Sequence, residues 1–369
     1  MNDKKRVLIV SCSVGHGHYY TAEAIKNTFL LNYHHIEVEH IDFLNFIGIF
    51  SKKVYFDSFY PIARYLPKLC KFIYYNTDNV IGKKIFNLIT NFSKKINTNR
   101  YFEYISNYQP DYVLCSHFIP ADIIKNYSVK HKFNFRVGTL MTDYAIHELQ
   151  KVSRDIDYYV VNDDINKELL STGVSQKNII VSGIPINPKF MEKINIDDIL
   201  VKYRIDIVKK TIVILPSVQE IIKVEEIISF LFSSKYSMNL IAIIGSNGKL
   251  YNKLKEYMPP KSINYQLIKW SNNIDEYMRI ADIIITKPGG ITVTECIYLG
   301  KPMLLINPIP GQEEYNAKYV INNGYGLKAY TMEEFKKNIQ LLFSGFNVKK
   351  ESLVKNPNDI ICGHIISSL

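Results

Sequence analysis

Residues 281–317 read ADIIITKPGGITVTECIYLGKPMLLINPIPGQEEYNA, and the fold is decided there. The run Ile283-Ile284-Ile285-Thr286 is short and continuously apolar, as expected of one strand buried on both faces. Lys287-Pro288-Gly289-Gly290 breaks it. Residues 292–299 then carry a helical pattern that Gly300 ends, and 302–307 form a second buried strand. Strand, glycine-containing turn, helix, strand is a βαβ unit of an α/β protein with a parallel sheet. The turn lies at a helix N-terminus, where unbonded N–H groups and the positive end of the dipole favour an anion. Two adjacent glycines let a phosphate approach the backbone. A bare Gly-Gly turn also serves as a plain connection, so its neighbours carry the distinction.

Glu295, inside that helix, is placed to accept hydrogen bonds from a ribose diol. Beyond the next strand, residues 308–317 (PIPGQEEYNA) present an amide and carboxylates on a Pro-flanked loop that leads into another helix. Such groups suit sugar hydroxyls, which need donors and acceptors in fixed directions. KPGGxTxxE followed by PxPGQExxNA resembles the donor-sugar half of the GT-B glycosyltransferases. The resemblance is strongest to the bacterial processive diacylglycerol glucosyltransferases and the plant monogalactosyldiacylglycerol synthases. The peptidoglycan lipid-intermediate N-acetylglucosaminyltransferase is a more distant cousin. By this resemblance Gly289, Gly290, Thr292, Glu295, Gln312, Glu313 and Asn316 bind a UDP-sugar donor. The implied fold is α/β of GT-B type, two Rossmann-like domains facing each other across a cleft.

Length and composition agree with two domains. A chain of 369 residues can bury two cores, and 47% hydrophobic with 22% charged residues fits a globular protein. No apolar run is long enough for a transmembrane helix. The opening MNDKKRVLIVSCS enters a strand directly, without a signal-peptide apolar region. The five cysteines are scattered without CxxC spacing, as expected of reduced thiols. The expected location is cytoplasmic, at the inner face of the cell membrane. The net charge of +10 is uneven: residues 44–100 carry ten basic side chains against Asp57 and Asp78. That segment is also rich in Phe and Tyr, a mixture that suits docking on an anionic membrane surface. No RNA-binding signature accompanies the charge, so no nucleic-acid partner is expected.

Taken in order, residues 6–12 (RVLIVSC) form a strand, and Ser13-Val14-Gly15-His16-Gly17-His18 turns into a helix with Ala22, Ile25 and Phe29 at helical spacing. This is a second βα unit, although the turn alone also fits two exposed histidines. The resemblance puts His18 against the acceptor hydroxyl, with Gly17 beside it; a neutral imidazole there is a plausible general base. His117 ends the strand 111–116, at the edge where open α/β sheets place ligands, or else it caps the next helix. Residues 142–190 resemble the same glucosyltransferases almost throughout, and Asp143 and His147 would then face the cleft. Asp143 would orient His18 or act as the base itself. Gln150 and Val152 replace the Trp and His usual in the family, and Pro216-Ser217-Val218-Gln219-Glu220 replaces a glycine-containing loop. Trp270 either meets the uracil base, by stacking or through its backbone, or packs inside the protein.

The domains are expected at 1–188 (acceptor and membrane) and 189–349 (UDP-sugar), with a helical tail at 350–369 that packs back on the first. The implied reaction is an inverting transfer of a hexose, foremost glucose, from a UDP-sugar to 1,2-diacylglycerol, in one step or repeated on the product. Another lipid or natural-product acceptor, or a catalytically silent lipid-binding relative, are the alternatives. No carboxylate pair or His/Cys cluster marks a metal site, and no cofactor is expected beyond the donor substrate.

Overall fold

The computed structural model describes residues 4–13, 16–48, 98–128, 132–215, 222–309, 311–345, 349 and 356–369. Most of the basic aromatic segment 44–100 and the loop 216–220 lie outside the described residues.

The chain divides into two units. The first comprises the residues up to Pro188 together with Gln312 and the C-terminal helix. It is built from β1 (Lys5–Ser11), α1 (His16–Asn32), β2 (Ile36–Asp42), α2 (Asn99–Tyr108), β3 (Tyr112–Cys115), α3 (Phe118–Ser128), β4 (Arg136–Leu140), β5 (Asp157–Val160), α4 (Asp163–Ser171) and β6 (Ile179–Val181). These strands form one parallel sheet in the order β2-β1-β3-β4-β5-β6. Central β1 is sealed on both faces, with Val7, Leu8, Ile9 and Val10 fully buried, which is why its sequence is unbroken hydrophobe. β2 is the edge strand, and its alternating IEVEHID leaves most residues half-buried.

The second unit begins at Lys189. Its elements are α5 (Ile196–Lys202), β7 (Lys210–Ile214), α6 (Val224–Ser233), β8 (Met238–Ile243), α7 (Gly248–Lys255), β9 (Ile263–Ile268), α8 (Ile274–Ile280), β10 (Ile283–Thr286), α9 (Gly290–Tyr298), β11 (Met303–Ile306), α10 (Gln312–Asn322), β12 (Gly326–Ala329) and α11 (Met332–Phe343). Its sheet is also parallel and runs β12-β11-β10-β7-β8-β9. The last helix, α12 (Pro357–Ser367), returns to the first unit and packs on α1.

Polar bonds fix that return. Fully buried Asn358 donates to Thr28 Oγ1 and to the Ile186 carbonyl, each at 2.9 Å, and accepts the Ile186 N–H. On the same helix His364 Nδ1 lies 2.9 Å from the Tyr159 hydroxyl. Tyr159 meets Tyr112, whose hydroxyl donates to Asp157, and Arg136 holds Asp157 from the other side. Gly138 makes room for this network, since a Cβ there would clash with the Tyr112 hydroxyl.

Both strand orders reverse direction once, and open α/β sheets bind ligands at the carboxyl ends of the strands flanking that reversal. The reversal lies between β1 and β3 in the first unit, and between β7 and β10 in the second.

Candidate active site

In the second unit the reversal point is where the organising turn emerges. β10 runs into Lys287, Pro288 and Gly289, and α9 starts at Gly290, two residues before the helical pattern in the sequence begins. Gly289 is the N-cap residue and has no side chain to bond the first-turn N–H groups. Among the described residues no cap side chain bonds these groups, which form the positive end of the helix. Gly289 has φ −68°, which any residue adopts, and a Cβ built on it meets nothing within 4 Å. Its glycine character therefore keeps open space over the turn. Gly300 closes the far end of α9 with positive φ, and the Lys301 N–H reaches back to the Cys296 carbonyl at 2.9 Å.

Two residues of α10 shape this turn. Glu313 accepts from Lys287 Nζ at 2.7 Å with one oxygen and from the Ile309 N–H at 2.8 Å with the other. One helical turn on, buried Asn316 donates to the Pro288 carbonyl at 3.0 Å. The sequence suggests these two side chains as sugar ligands, whereas the bonds they make here brace the turn and the loop before α10. Gln312 begins that helix and is half-buried, as is Thr292 in the first turn of α9.

Glu295 lies on α9 behind the turn. Burial, reinforced by the nearby Asp275 carboxylate, pushes its carboxyl up to about 8. Asp275, almost wholly buried on α8, is itself raised, first by burial. Trp270 follows β9 and is 59% exposed, which excludes the packing alternative; its indole N–H donates to Asn272 at 3.3 Å.

In the first unit, β1 and β3 bring together residues almost a hundred positions apart. His18 Nδ1 lies 2.5 Å from the Ser116 carbonyl, and the Ser116 hydroxyl donates to the His18 carbonyl at 2.7 Å. A carbonyl only accepts, so Nδ1 carries the proton and Nε2 keeps its lone pair. The His117 ring stands edge-on to His18 with centroids 4.6 Å apart. Its Nδ1 accepts the Ile119 N–H at 3.1 Å at the head of α3, so His117 does cap that helix. Burial takes His18 from 6.5 down to about 4, opposed by the Ser116 bond, and takes His117 well below the usual range. Both imidazoles are therefore neutral at pH 7. Thr142 Oγ1 is 3.4 Å from His18 Nδ1 and 3.5 Å from Asp143, so Asp143 stands one hydroxyl away along the same edge. Because Ser116 already holds Nδ1, the orienting role considered for Asp143 falls to that carbonyl. Gly17 lies in the first turn of α1.

His147 caps a 3-10 turn at Glu148–Gln150, accepting the Leu149 N–H, while Gln150 bonds back to the His147 N–H. Gln150, where the resembling family carries Trp, is thus spent on a capping box. One cluster escapes notice in the sequence. His40 on β2 bonds Glu23 of α1 through Nδ1 and the fully buried Ser11 hydroxyl of β1 through Nε2, at 2.8 Å. Asp42 accepts the Ser13 N–H beside it. These bonds tie the helix bearing His18 to the sheet; only the polar positions of edge strand β2 hint at them. Among the described residues no group of three or more His, Cys, Asp or Glu is arranged to hold a metal ion, and no helix is long and apolar enough to cross a membrane.

Two Rossmann-type units, each with its candidate ligand groups at the reversal of strand order, make the α/β fold of GT-B type. Residues 18–186 match the monogalactosyldiacylglycerol (MGDG) synthase family model, and residues 218–345 match the glycosyltransferase family 28 C-terminal domain. It is 28% identical over 349 residues to the processive diacylglycerol beta-glucosyltransferase of Bacillus subtilis, covering 93% of this chain and 88% of that one. It is 27% identical over 379 residues to the enzyme of the same name from Staphylococcus aureus, covering 99% and 93%. Among solved structures, the UDP-GlcNAc 2-epimerase of Neisseria meningitidis bound to UDP-GlcNAc superposes with TM-score 0.62 at 16% identity, over 98% of this chain and 100% of that one. MurG of Acinetobacter baumannii does so with TM-score 0.54 at 13% identity, over 98% of each chain. These structures share the fold.

Proposed function

We propose that this enzyme transfers glucose from UDP-glucose to 1,2-diacylglycerol with inversion, and repeats the transfer on its own product. The observation that carries the reading is the uncapped α9 N-terminus at Gly289–Gly290, with Glu295 in the same helix. That end accepts the diphosphate, whose charge grows as the sugar departs, and a helix dipole there does the work otherwise given to a cation. Hence the reaction needs no metal. Glu295 takes the ribose diol, Gln312 the sugar, and Trp270 offers an exposed face to the base. On the acceptor side His18 Nε2 removes the hydroxyl proton, the oxygen attacks the anomeric carbon from the side opposite UDP, and the C–O bond to UDP breaks with its electron pair. The names of the curated relatives favour glucose over the galactose of the matching family. The protein works peripherally on the cytoplasmic face of the membrane, attached through 44–100. The test supplies purified protein with labelled UDP-glucose or UDP-galactose and diacylglycerol micelles. Label from UDP-glucose is expected in the lipid phase, as mono- and then diglycosyl product; label from UDP-galactose alone would replace the donor.

A further inference from the structure

The two imidazoles at the edge of the first sheet are held as opposite tautomers. His18 gives its Nδ1–H to the Ser116 carbonyl, so its Nε2 is an acceptor. His117 receives the Ile119 N–H on Nδ1, so its Nε2 carries the proton and is a donor. A neutral imidazole has one of each, and the backbone has chosen differently for two rings whose centroids lie 4.6 Å apart. An alcohol needs this pairing: its proton must go to an acceptor, while one of its two lone pairs takes a donor and the other attacks.

We propose that His117 is a second catalytic residue, whose Nε2–H holds the acceptor hydroxyl oxygen while His18 Nε2 takes its proton. The role rests on the transferase reading above. In the step the acceptor O–C1 bond forms, the C1–O bond to the diphosphate breaks, the electron pair leaves with UDP, and the hydroxyl proton passes to His18. His117 neither gains nor loses a proton; its N–H fixes which lone pair faces the sugar. The arrangement suits an uncharged hydroxyl. A carboxylate or phosphate would present only acceptors, which the His18 lone pair repels.

Because each nitrogen of His117 has its own task, two substitutions separate them. His117→Asn keeps an acceptor near the Nδ1 position for the Ile119 N–H and deletes the Nε2 donor. His117→Gln reaches the Nε2 position with an amide N–H and gives up the cap. The full chain is assayed with UDP-glucose and diacylglycerol in mixed micelles, with UDP affinity from calorimetry and the melting temperature recorded alongside. His117→Asn is expected to lower kcat/KM for diacylglycerol by roughly tenfold or more, the scale of a hydroxyl left without its partner, with UDP affinity and melting temperature held. His117→Gln should restore most of kcat/KM while melting earlier. The reverse pattern, with Asn active and Gln impaired, would reduce His117 to a helix cap and overturn the proposal, as would two variants equal to wild type. If the wild type binds UDP but glycosylates no diacylglycerol, the transferase reading itself fails and this role falls with it.

Discussion

At the scale of single residues, the side chains singled out in the sequence are legible as chemistry, but their partners are not. His18 is visible because it closes a Gly-His-Gly-His run between a strand and a helix in the sequence. Ser116, which sets its tautomer, lies 98 residues away and acts through its backbone, which no motif encodes. Protonation states follow from such partners. The folded value of His18, about 4, lies below the unfolded 6.5, so folding disfavours its charged form. Its contribution to stability is complete above pH 6.5 and lost as pH falls from 6.5 toward 4, on the order of 3 kcal/mol in all. The same shift keeps the base unprotonated, so the acid limb of kcat/KM is expected near pH 4; a limb at 6.5 that vanishes in His18→Gln would contradict this. Glu295 has the opposite sign. Raised from 4.5 to about 8, it favours folding in its protonated form below 4.5 and loses that contribution as pH rises through 8. A ribose diol donates to the carboxylate, so UDP binding at pH 7 should release close to one proton. Calorimetry in buffers of different ionisation enthalpy measures it, and an enthalpy independent of buffer would remove Glu295 from the binding step. Glu295→Ala is expected to weaken UDP by about 1–3 kcal/mol.

At the scale of elements, the strands buried on both faces are readable as short unbroken apolar runs bounded by turn residues: residues 283–286 are β10 to the residue. Boundaries drift where glycine sits. Helix α9 starts at Gly290, which the sequence treats as part of the break, because the turn carries no side chain to announce a cap. The short β6 is absent from the sequence reading, since three residues show no period. Glu313 and Asn316 look like ligands in the sequence because carboxylate and amide chemistry serves a sugar and a backbone equally well; only the fold shows them bracing Lys287 and Pro288. Gly289 tests the turn directly. Its φ of −68° tolerates alanine, and the added methyl meets open space, so Gly289→Ala should melt like wild type. If a phosphate occupies that space, UDP affinity should drop by roughly tenfold or more; unchanged affinity would move the diphosphate elsewhere.

At the scale of the whole molecule, the pattern is duplication without sequence repetition: two parallel six-stranded sheets, each reversing its strand order once. Most of the segment 44–100 lies outside the described residues, and its charge makes the proposed membrane attachment testable. Vesicle flotation should show binding that rises with anionic lipid and falls with salt, each basic residue near the surface adding about 1 kcal/mol. Replacing Lys52, Lys53, Lys68 and Lys71 by Glu should abolish it, and equal flotation by that variant would place the attachment elsewhere. A single comparison reaches both donor binding and proton removal. Wild type and His18→Gln are given labelled UDP-glucose and diacylglycerol micelles, with UDP binding measured on the same samples. The two proteins should bind UDP equally, while transfer of label to lipid falls by on the order of 100-fold or more in the variant, the contribution of a positioned base. Transfer at the wild-type rate by His18→Gln, or no lipid label from wild type that binds UDP, would contradict the account.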